Sequence, residues 1–237
     1  MRIGIIGGTG NMGRGLAIRW ALKHEVLVGS RRLEKARRIA KQLNDLARGF
    51  YQSEILGHVT GVVNADAVGG SEVVVVTLPP KATVPALKEL REHLNPEQIV
   101  VSTVVPMSRR GNLFYFTSLS GEDAAQEGRS AAEVIQRMVE PVPVVSAFQT
   151  VPAAYLSNID SILNIDVLIA GDDDLAITIV SKLVRDIPNL RPLRVGPLEN
   201  SKWIESLTPL LLNAAVLNGL HDPSIRVVPW MPTSYET

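Results

Sequence analysis

The chain has 237 residues, with 24 basic and 24 acidic side chains, so its formal net charge is zero. This balance argues against non-specific nucleic-acid binding, which requires a basic surface. The chain contains no cysteine, which excludes disulfides and thiolate chemistry, and its four histidines are scattered without the spacing of metal ligands. We therefore expect no metal site.

The N-terminus runs directly into an apolar strand, without the charged and apolar segments of a signal peptide. The longest apolar runs are too short to span a bilayer. The sequence thus predicts a cytoplasmic protein whose partners are small-molecule cofactors, with neither a nucleic acid nor a membrane among them. Its length allows one large or two small domains with a substantial core.

The first 32 residues read as strand, glycine-rich turn, helix and second strand. An apolar strand at residues 3–6 is followed by Gly-Gly-Thr-Gly-Asn-Met-Gly and by a helix predicted over residues 13–23. The glycines match G-x-G-x-x-G in the strand-to-helix context that makes this motif specific for a dinucleotide. The alternative is a tight turn without any ligand.

Each glycine of the motif has its own physical role. Gly8 allows the tight turn, Gly10 lets the backbone approach a pyrophosphate, and Gly13 lets the helix pack closely on the strand. The start of the helix offers free N–H groups and a positive dipole end to the phosphates. Thr9 and Asn11 add side-chain donors to the predicted site.

The end of the second strand indicates which dinucleotide binds. An NAD site carries an acid about 20 residues beyond the glycines, whereas an NADP site offers arginine. The strand at residues 26–28 ends without an acid, and Glu34 is the nearest one. We predict that the 2′-phosphate of NADP is bound here, the alternative being a solvated basic start of a helix. The predicted contacts are Ser30, Arg31, Arg32 and Lys35.

Strands and helices then alternate along the first part of the chain. Helices are predicted at residues 33–49, from Asn64, and at 83–93, and strands at 59–63, 72–78 and 98–104. This alternation predicts an α/β fold, a Rossmann-type doubly wound parallel sheet. Ligands of such sheets bind at the carboxyl ends of the strands. At those ends, Leu78 and Val105 are candidates for the nicotinamide pocket, and Pro80 is a further predicted cofactor contact in a loop that proline stiffens.

The second half of the chain is predicted to form a smaller C-terminal α/β domain. A surface loop or lid is expected at residues 108–129, then a helix at 130–139 and a strand at 144–147. The character changes at Phe148, so we predict domains at 1–147 and 148–237. Strands are expected at 166–170 and 193–195, and helices at 175–186 and 202–218. The last helix is apolar almost all round and kinked at Pro209, so we expect its burial in the core or at a subunit interface.

Several motifs together resemble the coenzyme F420-dependent NADP oxidoreductases, also called NADPH:F420 oxidoreductases. The likeness runs from Met1 to about Gly219. The runs at 171–174 and 205–213 are more particular to this family than the first motif, which many dehydrogenases share. The motifs that carry the likeness are those at residues 7–13, 29–32, 105–106, 150–153, 171–174, 196–201 and 205–213.

The resemblance implies reversible hydride transfer between NADPH and the deazaflavin coenzyme F420. It also implies a cytoplasmic homo-oligomer, a homodimer or larger. The NADP contacts that it implies are Thr9, Gly10, Asn11, Met12, Ser30, Arg31 and Lys35, with Ala153 near the nicotinamide. The implied deazaflavin pocket, between the sheet edge and the second domain, is formed by Gln149, Thr150, Val151, Pro152, Leu207 and Thr208.

Direct hydride transfer between two cofactors requires no catalytic acid, base or nucleophile, and we assign none. One alternative is an NADPH-dependent reductase of another acceptor, such as an imine, a keto acid, a flavin or a metal chelate. An imine or keto-acid reductase usually needs a proton donor near the nicotinamide, and Lys81 is the nearby candidate. The other alternative is a non-catalytic NADP-binding protein.

Overall fold

An eight-stranded sheet with helices on both faces organises the chain. The computed structural model describes residues 1–51, 57–119 and 129–228. The strands are β1 Arg2–Ile6, β2 Glu25–Ser30, β3 His58–Val63, β4 Val73–Val76, β5 Ile99–Ser102, β6 Met107–Arg110, β7 Leu113–Phe116, β8 Val144–Ser146, β9 Ile165–Gly171 and β10 Leu190–Arg194. The helices are α1 Asn11–Trp20, α2 Leu33–Tyr51, α3 Asn64–Gly69, α4 Pro80–Leu90, α5 Ala131–Val139, α6 Ala153–Ser157, α7 Asp174–Arg185 and α8 Ser201–Asn218.

The strand order confirms the predicted Rossmann-type fold. The order across the sheet is β10-β9-β8-β5-β4-β1-β2-β3. All neighbouring pairs are parallel except β8 with β9, which is antiparallel. The chain leaves β1 towards β2 and β3, and then returns to build β4, β5 and β8 on the other side. The switch point of this doubly wound sheet therefore lies between β1 and β4.

The central strands are buried on both faces, as their composition predicts. Each valine of β4 is buried, and β-branched side chains pack well on a sheet that is covered on both sides. On one face, Trp20 packs edge-on against Phe148, with ring centroids 5.7 Å apart, and its indole N–H donates to the Leu183 carbonyl. Leu87 and Ile135 belong to the core of the other face.

A β-hairpin occupies part of residues 108–129, the segment predicted to be a surface loop or lid. Strands β6 and β7 pair in antiparallel fashion, with Met107 opposite Phe116. The prediction of a surface loop was therefore wrong for residues 108–116, because a contact from distant α8 helps to hold this hairpin. The Asn213 side chain accepts from the Phe114 N–H at 2.7 Å and donates to its carbonyl at 2.8 Å. Residues 120–128 of the predicted lid lie outside the described residues.

Two helices begin more than one residue earlier than predicted. Helix α1 starts at Asn11 rather than at Gly13, so the third glycine of the motif lies within its first turn. Helix α4 starts at Pro80 rather than at Thr83. Proline suits the first position of a helix, because the N–H that it lacks would have no partner inside the helix.

Helix α8 exposes apolar side chains, although its apolar composition predicts their burial. It spans Ser201–Asn218, close to the prediction, and contains Pro209 in its interior. Its N-terminal half is buried at Ile204 and Glu205, but four large apolar side chains are exposed within this single chain. These are Trp203, Leu210, Val216 and Leu217. Burial in the core is therefore the wrong alternative for these four, and burial at a subunit interface stays a prediction.

The sheet continues across the predicted boundary at Ala147, because β8, β9 and β10 extend the same sheet. Beyond α8 the chain returns to β9, where the Asp166 N–H donates to the Ile225 carbonyl. Residues 229–237 lie outside the described residues. Over residues 1–51, 57–119 and 129–228, none of the helices combines the length and apolarity needed to cross a bilayer.

Candidate functional site

A cleft of about 720 Å³ opens at the carboxyl ends of β1, β2 and β4. This is the switch point of the sheet, where ligands of doubly wound folds bind. The cleft combines a glycine-rich loop on one side with a cluster of basic side chains on the other. It is lined by Gly7, Thr9, Gly10, Asn11, Ser30, Arg31, Arg32, Lys35, Asn64, Thr77, Leu78 and Pro79.

The glycines of the loop divide into internal and exposed positions. A Cβ atom on Gly13 would lie 2.5 Å from the Cα atom of Gly8, and one on Gly8 would lie 2.9 Å from the Ile5 carbonyl oxygen. Both glycines are thus required by backbone packing. A Cβ atom on Gly10 would meet only the Gly7 carbonyl oxygen, at 3.4 Å. Gly10 therefore leaves open space for a ligand beside the start of α1.

The basic side of the cleft is built by the end of β2 and the start of α2. Ser30 is buried, and its hydroxyl accepts from the Arg32 N–H at 3.2 Å. Arg31 and Arg32 are exposed. Among the described residues, no carboxylate lines this cleft. Glu34 instead lies in a neighbouring depression of about 280 Å³, together with Arg32 and Lys35.

Sequence reasoning missed Asn64, which also lines the cleft. Its side-chain Oδ1 accepts from the Gly7 N–H at 3.4 Å, and so links the glycine loop to the start of α3. The same oxygen lies 2.7 Å from the position of a Cβ atom on Gly29, which restricts that residue to glycine. A polar residue directly after a parallel strand, here β3, was the available signal.

Several of the predicted cofactor contacts do not line this cleft. Met12 packs against the core, and Pro80 begins α4, so Pro79 lines the cleft in its place. Val105 lies between β5 and β6, and Ala153 is the first residue of α6. Their roles at the nicotinamide end stay predictions.

Helix α6 is held firmly on α1. The Ser157 hydroxyl donates to the Asn11 carbonyl at 3.1 Å, and a Cβ atom on Gly15 would lie 2.5 Å from the Leu156 Cβ atom. Arg19 is buried and donates to four carbonyl oxygens of this segment, including that of Asn158 at 2.7 Å. Sequence reasoning missed Arg19, since nothing local distinguishes it from a surface arginine. The residues around Ala153 thereby keep a defined position relative to the glycine loop.

The segment predicted to bind the deazaflavin follows β8. The side chains of Gln149, Thr150 and Val151 are all buried. The Gln149 amide donates to the Ser102 carbonyl and to the Ser146 hydroxyl, each at 2.8 Å, and so joins the ends of β5 and β8. Pro152 precedes α6, while Leu207 and Thr208 lie on α8, half-buried. Helix α8 meets this segment through Thr208, whose hydroxyl donates to the Gln149 carbonyl at 2.8 Å.

Glu205 has an unusual electrostatic environment near this segment. Its carboxyl group is fully buried and accepts from the Ala131 N–H at 2.8 Å and from the Ala132 N–H at 3.1 Å. The group therefore caps the start of α5. Burial raises the pKa of Glu205 to about 8, although the two N–H donors act in the opposite direction. Close to neutral pH the carboxyl group is thus largely protonated.

This raised pKa predicts a pH dependence of stability. Between the ordinary pKa of glutamate and about 8, the folded state binds more protons than the unfolded state does. The free energy of unfolding therefore falls as the pH rises, by at most ~1.4 kcal/mol per unit. Glu205→Gln should remove this contribution to the slope, as measured by urea unfolding at several pH values. The control is Glu89→Gln, at an exposed position of α4, which should leave the pH dependence of the free energy of unfolding unchanged. Equal slopes in the wild type and in Glu205→Gln would contradict the prediction.

The sequence is similar to those of known oxidoreductases. Residues 2–106 match the family described as NADP oxidoreductase, coenzyme F420-dependent. An F420-dependent NADP reductase from Methanocaldococcus jannaschii is 35% identical over 96% of this chain and 98% of its own length. One from Methanothermobacter thermautotrophicus is 32% identical over 96% of this chain and 94% of its own length.

The fold is also found among solved structures. A crystal structure from Arthrobacter sp. FB24 superposes with a TM-score of 0.76, and covers 96% of this chain and 99% of its own chain at 22% identity. That likeness concerns the fold alone, whereas the two reductases match in sequence along nearly the whole chain. The chain therefore belongs to the family of F420-dependent NADP reductases.

Proposed function

We propose that the protein transfers a hydride reversibly between NADPH and the deazaflavin coenzyme F420. The observation that carries the proposal is the cleft, which joins an open glycine loop to the basic, acid-free end of β2. Membership of the reductase family supports the second partner. The proposed cofactors are accordingly NADP and F420.

The residues of the cleft fit a dinucleotide phosphate. Gly10 leaves room for a pyrophosphate beside the start of α1, where free N–H groups favour anions. Arg31 and Arg32 offer planar guanidinium groups to the 2′-phosphate, and Lys35 adds a point charge. Ser30 holds the backbone of this turn through its bond to the Arg32 N–H. We assign the nicotinamide end to Leu78, Val105 and Ala153.

The protein's task in this reaction is to bind, orient and exclude water. When bound, the dinucleotide and the deazaflavin supply all of the redox chemistry, because a hydride passes directly between two ring carbons. Such a transfer depends on holding the two rings at about 3–3.5 Å. Arg19 and Ser157 serve this end by fixing α6 against α1. We assign no acid–base role to a side chain.

We also propose an oligomeric state, a division of the chain into two functional parts and a cellular location. The exposed apolar side chains of α8 support a homo-oligomer, because single chains in water rarely leave such side chains uncovered together. We propose two functional parts: residues 1–147 bind NADP, and residues 148–237 complete the deazaflavin site. A cytoplasmic location suits an enzyme whose two partners are small redox cofactors.

The glycine loop yields a matched pair of variants. Gly10→Ala should fold normally, since Gly10 has φ −78° and ψ 172°, a conformation open to any residue. The added methyl group should nevertheless weaken NADPH binding about tenfold or more, by occupying the ligand's space. Gly13→Ala should instead lower the free energy of unfolding by about 1–3 kcal/mol, because its Cβ meets backbone atoms. Fluorescence titration with NADPH and urea unfolding measure the two effects, and a Gly10→Ala protein with unchanged affinity would contradict the assignment.

A direct assay tests the proposed function. Pure protein is mixed with NADPH and oxidised F420, and the visible absorbance of the deazaflavin is followed. We expect bleaching that depends on the protein. Addition of excess NADP should restore the absorbance, because NADP takes the hydride back from the reduced F420 and so regenerates oxidised F420. Tight binding of NADPH without any bleaching would reject the proposal and favour a reductase of another acceptor or a non-catalytic protein.

A further inference from the structure

The run Glu205–Asn213 of α8 carries three polar side chains that bind the backbone of other segments. Glu205 accepts from the first N–H groups of α5. Thr208 donates to the carbonyl of Gln149, at 2.8 Å. Asn213 makes two hydrogen bonds to the peptide groups of Phe114 in the hairpin. We call these three contacts the α8 tethers.

All three tethered segments lie at one edge of the sheet. The hairpin follows β5, and Gln149 follows β8, so both emerge at the carboxyl ends of these parallel strands. Helix α5 leads the chain back to the start of β8, and it must therefore begin at the carboxyl edge. This part of the edge lies next to the cleft described above, on the β5 and β8 side of the switch point.

From this arrangement we infer that Glu205, Thr208 and Asn213 are positioning residues for the second cofactor. The inference rests on the proposed function, and it changes the role predicted for Thr208 from ligand contact to tether. Their polar atoms are already engaged with protein backbone, and Glu205 is fully buried. Helix α8 thus sets the shape of the deazaflavin pocket by holding its walls in place.

Among the three tethers, Asn213 makes the contact whose effect on its partner segment is easiest to derive. Its amide accepts from and donates to one residue, Phe114, so it extends the hydrogen bonding of β7 as a neighbouring strand would. A two-stranded hairpin on its own is only marginally stable in water. Both strands of this hairpin are largely exposed or half-buried, and helix α8 packs along β7. Loss of the Asn213 amide should therefore loosen the hairpin on α8 without unfolding the sheet.

The test compares Asn213→Ala with a matched control on the same helix. Asn218→Ala removes an exposed amide that bonds only within α8, to the Ala214 carbonyl. For Asn213→Ala we expect the KM for oxidised F420 to rise about tenfold. The two lost hydrogen bonds no longer help to hold this wall of the pocket in place when F420 binds, and a tenfold change is the size expected for their loss. The Kd for NADPH should change by less than about twofold, because neither Asn213 nor residues 107–116 line that cleft. Amide hydrogen exchange in residues 107–116 should become faster, and Asn218→Ala should leave all three quantities unchanged.

A second variant keeps the inference testable if Asn213→Ala folds poorly. Thr208→Val preserves shape and removes one hydrogen bond, so the KM for F420 should rise about threefold. Equal losses of NADPH affinity and F420 affinity, or unchanged exchange of the hairpin amides in Asn213→Ala, would overturn the inference. If the wild-type protein fails to reduce F420 at all, the proposed function falls, while the exchange measurement still reports on the tether itself.

Discussion

Arg31→Asp is expected to weaken NADPH binding about a hundredfold or more. The substitution would remove the proposed charge-assisted hydrogen bond to the 2′-phosphate, worth about 1.5–3 kcal/mol, and place a like charge beside that group. An acid at the end of the second strand is also what NAD sites use to bind the ribose hydroxyls. NADH should therefore bind the variant better than it binds the wild type. Titration of both proteins with both nucleotides measures the change in preference.

Arg37→Asp is the matched control for Arg31→Asp. Arg37 is exposed on α2, the helix that follows Arg31, but it lines a groove beside β3 rather than the cleft. The change in net charge is the same, so the control measures how far a general electrostatic field contributes. We expect a loss of NADPH affinity below about threefold at physiological salt, because Arg37 does not line the cleft and interactions between exposed charges are weakened by salt. Equal losses in the two variants would show that Arg31 makes no specific contact with the 2′-phosphate.

Arg191→Met is expected to lower the free energy of unfolding by about 3–5 kcal/mol, because it leaves a buried carboxylate without its partner. Arg191 binds Asp166 through two hydrogen bonds, of 2.7 Å from Nε and 2.6 Å from Nη2. Asp166 is fully buried in β9 and also accepts from the Val227 N–H at 2.6 Å. The pair thus joins β9, β10 and the chain after α8. Urea unfolding at neutral pH measures the loss.

The pH dependence of this loss has a defined sign. Burial alone would raise the pKa of Asp166, but the hydrogen bonds from Arg191 and Val227 outweigh it and lower the pKa. The stabilisation is therefore complete above the ordinary pKa of aspartate, ~3.9, and is lost as the pH falls through the lowered value. The difference between wild type and Arg191→Met should shrink in acid.

Arg194→Met provides the control for this ion pair. Arg194 lies on the same strand and pairs with Asp174 at 2.7 Å, but both side chains are more than half exposed. Exposed pairs contribute about 0–1 kcal/mol, so this variant should unfold almost like the wild type. A loss as large as that of Arg191→Met would mean that β10 depends on its arginines for packing rather than for charge.

The fold and the glycine side of the site could be predicted because their signals are local. The β-branched strands, the glycines at 8, 10 and 13, and the acid-free end of β2 are each readable within a few residues. Ser130 begins α5 with a complete capping box to Glu133, again a short-range pattern. Turns and the spacing of apolar residues depend on residues that are close together in the sequence. A short window of the sequence therefore contains all the information needed to predict them.

The remaining features depend on partners that are distant in the sequence. Asn64 reaches Gly7 across 57 positions, Arg19 reaches Leu156 across 137, and Asn213 reaches Phe114 across 99. No pattern near any of these residues reveals its partner, and so the hairpin and the role of Arg19 were missed. The same holds for Gln149, whose amide joins β5 and β8 inside the protein.

By itself, the sequence determined the Rossmann-type sheet, the position of the dinucleotide cleft and its basic, NADP-type rim. Only the tertiary structure decided which side chains face that cleft, how α6 and α8 are fixed at the carboxyl edge, and that Glu205 is a buried cap with a raised pKa. The physical reason is that backbone conformation follows from near neighbours. Burial, pKa and the walls of a pocket, in contrast, are properties of side chains brought together by the whole fold.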